Sequence, residues 1–224
     1  MTSLAASITP QAAAFPGALV RLCRRAQGEL WGLRLGRLYG FGIGASYALL
    51  AWFGPVSVGG SVKLWARCLA TASWVAGVGA LSLATDLAAR DATQGLTALT
   101  RLRGFSEAQL ERARSLAGAQ RLATNVLVPA LILTVALLFR FRTLQASVVA
   151  LWLLPLSAVY AALVGVTLSR LARACSRWLP GRGRLLLLGI ALGPWLLGIG
   201  LHAKVPNIPG ALGWLLQRMA GSFN

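Results

Sequence analysis

Acidic side chains are the scarcest feature of this chain. Glu29, Asp86, Asp91, Glu107 and Glu111 are the five acids in 224 residues, and none sits inside a long apolar run. Carriers driven by protons or sodium place an ionisable group at membrane depth, where it is costly and marks the mechanism. That class is excluded. The lone His202 lies beside Lys204 and reads as a wetted boundary residue rather than a proton relay or ligand. With no carboxylate pair, Ser/His/Asp set or His/Cys cluster, the sequence lacks the groups that acid–base, nucleophilic or metal catalysis requires. No catalytic residue, cofactor or metal site is therefore expected. Cys23, Cys68 and Cys175 are far apart with no ligand spacing, and are read as unpaired thiols filling space in or near a membrane. Charge is also missing before Arg21, so MTSLAASITPQAAAFPGALV offers no basic leader and no cleaved signal peptide is expected.

What is abundant is apolar. Hydrophobic residues make up 57% of the chain and charged ones 12%, which excludes disordered and ordinary soluble classes. The fold class is an all-α integral membrane protein, a single transmembrane domain over residues 1–224. A hydrocarbon core of about 30 Å needs roughly 20 helical residues per crossing. Spans are expected at Leu38 to Gly54, Leu69 to Thr85, Leu122 to Phe139, Ser147 to Leu168 and Leu185 to Leu201. The remaining segment, 202–224, has too short an apolar run before Gln217 and Arg218 to cross, and reads as an external re-entrant or interfacial helix.

The net charge of +17 would suggest nucleic acid in a soluble chain, but here its distribution points elsewhere. Sixteen of the 22 basic residues fall before the first span, between spans two and three, or after span four. Lys and Arg are retained on the cytoplasmic side, so the N-terminus is expected there. Residues 16–37 interleave Leu19, Leu22, Cys23, Leu30 and Trp31 with Arg21, Arg24, Arg25, Arg34 and Arg37. That pattern predicts a helix in the membrane plane, its arginines at lipid phosphates and Trp31 at headgroup depth.

The cytoplasmic loop, residues 86–121, holds the longest polar stretch. Thr93, Gln94 and Gly95 interrupt the preceding helix, and Leu96, Leu99, Leu102 and Phe105 then recur at threes to form one ridge. Arg101 and Arg103 lie off that ridge, and Gly104 suits a helix stop. Ser106 with Gln109 spells a capping box, so a new helix is expected from Glu107 into span three, with Glu111 and Arg114 able to pair. A leucine ridge flanked by arginines on two rigid stems suits docking into a groove of a soluble partner.

Inside the spans, Gly40 and Gly44, with Gly77, Gly79 and Ala80, are expected to let helices approach closely. Thr124 and Asn125 are read as interhelical hydrogen-bond partners. Pro155 and Pro194 should kink their helices.

Taken together, the membrane-plane helix, two spans, Arg90-Asp91, Gly95-Leu96, Leu99, Leu102, Gly104 and the helix from Ser106 to Arg114 resemble the permease subunits of ATP-binding-cassette exporters of the type-2 class. Polysaccharide, drug and haem-export permeases belong to that class. Its loop between spans two and three carries an acidic-basic pair, a Gly-Thr, leucines and a Pro before the next helix; here Leu96 and Gly104 replace the Thr and the Pro, and a sixth span is missing. The resemblance implies a bacterial inner-membrane transport subunit that pairs with a second permease, the same chain or another, around a translocation path. Its partners would be that permease, membrane lipids and a separate ATP-binding-cassette ATPase, with no nucleic acid. Contact with the ATPase would fall on Asp91, Gly95, Leu96, Leu99, Arg101, Leu102, Arg103 and Gly104. The basic loop Ser169 to Arg184 is expected against anionic headgroups, or as a second ATPase contact. The alternative is a non-transporting scaffold or assembly subunit whose basic face recruits a partner.

Overall fold

The structure, a computed structural model, describes residues 16–55, 58–85, 95–140 and 144–190. Every regular element among them is a helix: α1 (Pro16–Gln27), α2 (Trp31–Phe53), α3 (Val58–Leu83), α4 (Leu96–Leu102), α5 (Glu107–Arg140), α6 (Leu144–Trp178) and α7 (183–190). Three contain stretches long and apolar enough to cross a membrane, Gly60–Leu83, Glu107–Arg140 and Trp152–Trp178. The expected second, third and fourth spans fall on these. The expected first span is the latter part of α2, which Arg34, Arg37 and five glycines dilute below the other three. Only the first residues of the expected fifth span are described, in α7; Pro194 and 202–224 lie outside the described residues.

Helix lengths carry a second message. α5 has 34 residues and α6 has 35. At 1.5 Å per residue each is about 50 Å long, some 20 Å more than a hydrocarbon core. Both must overhang.

Packing inverts the habit of soluble proteins. Buried positions are small, among them Ala51, Ala66, Ala72, Ala76, Ala80, Ala130, Ala161 and Ala172, while Leu38, Phe41, Leu49, Leu50, Phe53, Trp152, Val159 and Leu163 are exposed. An apolar surface this extensive has no place in water. Against lipid there is no hydrophobic drive between helices, so small residues that maximise backbone contact take the interior. The arrangement is that of a membrane protein.

α2 and α5 approach closely. Gly32, Gly36, Gly40 and Gly44 recur every fourth residue and are all buried. A Cβ on Gly36 would stand 2.5 Å from Asn125 Nδ2, one on Gly40 3.2 Å from the Asn125 carbonyl oxygen, and one on Gly44 2.9 Å from Pro129 Cα. Pro129 lies inside α5 and has no N–H to give the Asn125 carbonyl four residues back. That carbonyl faces Gly40 instead. Gly79 of α3 meets Leu122 and Leu33 in the same way, whereas Gly77 has open space beside it and lets nothing closer. Gly77 is simply out of phase with the buried face.

The α3–α6 seam is built differently. Trp65 Nε1 donates to Ser157 Oγ at 2.9 Å, and Tyr160 and Ser73 share a hydrogen bond of 2.7 Å, all four side chains buried. Ser157 and Ser73 pass their own protons to Leu153 and Leu69 carbonyls, so both hydroxyls are satisfied twice. Tyr47 and Thr71 add a partly buried bond of 3.1 Å between α2 and α3.

Gly44→Val should lower the thermal midpoint of the detergent-solubilised protein, since overpacking of this kind costs about 1–3 kcal/mol. Gly42→Val, with nothing within 4 Å of its Cβ, should leave the midpoint unchanged. Equal midpoints for the two variants would mean that the α2–α5 contact is not close.

Candidate coupling surface

The overhang of α5 is where the loop was expected to fold, and it does so by the rules its sequence announces. The Gln109 amide donates to Ser106 Oγ at 3.2 Å and Gln109 Oε1 accepts from the Ser106 amide at 2.9 Å, completing the reciprocal capping box. Upstream, Gly95 and Gly104 both have positive φ, +68° and +76°. The Phe105 amide reaches back to the Thr100 carbonyl and that of Gly104 to Arg101, the paired bonds of a Schellman ending. These two glycines bracket α4, seven residues long.

The ridge expected along α4 does not stay on one face. Thr100 is buried while Leu102 is 86% exposed between exposed Arg101 and Arg103. Phe105, past the Schellman turn, packs against the cluster that Leu19 and Cys23 of α1 form with Leu110, Ala113 and Ala117 of α5. The chain reversal at Gly104 sends the two side chains apart. Side chains of Leu96 and Leu99 are outside the described residues, as are Arg90 and Asp91.

α1 supports this region from below. Leu19 and Cys23 are buried against Leu110, Ala113 and Ala117 of α5, leaving Arg21, Arg24 and Arg25 exposed. The apolar face expected to meet lipid therefore meets protein. α1 and α2 are also two helices where one was expected over 16–37. Successive short bonds from Gly28, Glu29 and Leu30 to Arg25, Ala26 and Gln27 tighten the chain, and Arg34 Nε caps the Gly28 carbonyl at 3.0 Å. Arg34, Arg37 and the exposed Trp31 thus belong to the opening turns of α2.

Several arginines are engaged inside this stub rather than offered to a partner. Arg121 donates from Nε to the Arg24 carbonyl at 3.0 Å and again from Nη2, a cation at the last turn of α1 where the helix dipole welcomes it. Gln27 Nε2 donates to the Arg114 carbonyl at 3.0 Å. From α6, Ser169 donates to the Ser115 carbonyl at 3.0 Å, Arg173 to the Glu111 carbonyl at 3.3 Å and to Ser115 Oγ. Glu111 pairs with Arg177 across to α6, where a bond to Arg114 within α5 was expected. The Arg101–Glu107 pair is exposed on both sides, and contributes less than about 1 kcal/mol. None of these cross-helix partners has a local spacing that would reveal it in the sequence.

Thr124 and Asn125 do not link helices. Thr124 donates to Gln120 of its own helix at 2.7 Å, and the Asn125 amide, 2% exposed, faces the α2 glycines with Nδ2 unpartnered. The three cysteines are buried and in no disulfide, and no group of three metal-binding side chains forms among the described residues. Compared with protein-family models, curated proteins and solved structures, the chain matches none.

Gly104→Ala forces a methyl group into the left-handed region, at a cost of about 1–2 kcal/mol. Amide exchange at Gly104 and Phe105 should accelerate by roughly tenfold or more, with the rest of α5 unchanged. Arg121→Gln should expose the 28–30 link to limited proteolysis while leaving the α3–α6 seam protected.

Proposed function

We propose that this chain is the permease subunit of an ATP-driven export complex in a bacterial inner membrane. The reading is carried by α4: a short helix at the basic end whose Leu102 stands outward between Arg101 and Arg103. Its C-terminal end is tied through the Gly104 turn and the Ser106 capping box to the start of α5, so a push on α4 is passed to that helix. The resemblance of Gly95 to Gly104 to the coupling segment of type-2 permeases supports the same role. A separate ATPase would press on this segment, and a second permease, alike or different, would complete the translocation path.

In this reading α2 and α7 are spans as well, giving five, with the N-terminus, α1 and α4 in the cytoplasm. The charge-free stretch from Leu38 to Phe53 follows Arg34 and Arg37, and Trp52 is exposed at its far end, in keeping with a Trp belt at that interface. The crowding of arginines at the Trp31 end supports a cytoplasmic location for that end.

Coexpression with the ATPase encoded beside it should yield a complex captured through the permease. Leu102→Asp should reduce capture by at least tenfold. Leu102→Cys should react with a membrane-impermeant maleimide in inside-out vesicles and not in intact cells, against a low background because the native thiols are buried. Labelling from outside, or equal capture by Leu102→Asp and wild type, sinks the exporter reading and leaves the scaffold.

A further inference from the structure

Arginines at the basic end divide into two sets. Arg121, Arg173 and Arg177 are spent on α1 and α5, as described above. A second set rings the last turn of α3. A Cβ on Gly32 would collide with Ser82 Oγ, and one on Gly183 would stand 2.7 Å from the Ala84 carbonyl oxygen. The opening of α2 and the α6–α7 turn thus both abut residues 82–84. From these two segments project Arg34, Arg37, Arg182 and Arg184, all exposed; Arg34 gives its Nε to the Gly28 carbonyl, and no acid among the described residues bridges Arg37, Arg182 or Arg184.

What accompanies them is apolar. Trp31 and Leu38 share the outward side of α2 with Arg34 and are 62% and 68% exposed; Trp178 and Leu185, either side of Arg182 and Arg184, are 74% and 65% exposed. Further along α2 the same side becomes wholly apolar at Phe41 and Leu49. The α6–α7 turn is fixed, with Gly181 at φ +78° and the Arg182 amide bonded to the Leu179 carbonyl at 3.0 Å, so its arginines cannot withdraw.

The geometry points to a binding site for an anionic phospholipid across the cytoplasmic end of α3, its phosphate and headgroup charge held between Arg34 and Arg37 of α2 and Arg182 and Arg184 of the turn. Guanidinium forks grip phosphate oxygens bidentately. Leu38, Phe41 and Leu185 continue from the arginines toward the hydrocarbon, as an acyl chain does from its phosphate. An acidic patch on a soluble protein would match the arginines but leave that apolar continuation without a counterpart. The site rests on the membrane placement proposed above and is independent of the ATPase.

Purified protein titrated with phosphatidylglycerol or phosphatidylcholine, with retained lipid counted by native mass spectrometry, tests it. Wild type should prefer phosphatidylglycerol, and Arg34→Gln/Arg182→Gln should lower the preference by roughly 30-fold, at about fivefold per arginine. Arg103→Gln/Arg112→Gln removes the same charge elsewhere on the basic end and should retain it. Wild type in about 0.5 M NaCl should lose much of the preference without any substitution, because the screening length then falls to a few ångströms. No preference in wild type, or equal loss in both double variants, overturns the site. If Arg34→Gln/Arg182→Gln instead abolishes ATPase capture with lipid preference intact, the cluster belongs to a protein partner and the inference also falls. Failure of wild type to capture any ATPase, with lipid preference present, removes the exporter reading alone.

Discussion

Backbone meeting backbone between α2 and α5 is the constraint from which the rest of the bundle follows. Gly36, Gly40 and Gly44 of α2 bring it onto Asn125, Pro129 and Ile132. In lipid, where no hydrophobic force draws helices together, such contact is the main source of cohesion. It fixes the height of α2 against α5 and, through Gly32 and Gly79, the position of α3. Alanines take much of the remaining interior, with Trp65, Leu69 and Leu133 among them, and Leu38, Phe41, Phe53 and Trp152 face outward.

Polar contacts take over where the membrane ends. α5 and α6 overhang, and their overhangs are rich in arginine, with Glu29, Glu107 and Glu111 the acids among the described residues. Like charges at this density repel. The stub answers by turning Arg121 and Arg173 onto backbone carbonyls and setting Arg177 against Glu111. A carbonyl accepts a guanidinium without adding a negative charge, so the surface remains basic while its base is knitted together. α4 stands on that base.

The sequence disclosed what local rules govern. Helical class, the capping box at Ser106, the stop at Gly104, and three of the apolar spans were legible because each depends on neighbours within a few positions. The α1–α2 break was not, since Gly28 is weak punctuation until Arg34 folds back to cap it. The destination of α1 was missed for a different reason: an amphipathic helix fits lipid and protein equally well, and the receiving surface, Leu110, Ala113 and Ala117, is far away in the chain. Pro129 passed unnoticed in an otherwise apolar run, as did the Trp65–Ser157 and Tyr160–Ser73 bonds, whose partners are separated by more than 80 residues.

α5 is continuous from Glu107 to Arg140, with its only proline at 129. Were it to pivot at Pro129, which packs against Gly44 of α2, its arms would be unequal, about 33 Å from base to proline and about 16 Å beyond it. Sideways motion imposed near α4 would arrive at the opposite rim halved in distance and doubled in force. There the tip is tethered, Arg140 donating to the Gly54 carbonyl at 2.8 Å, so the reduced stroke would be delivered to the far end of α2.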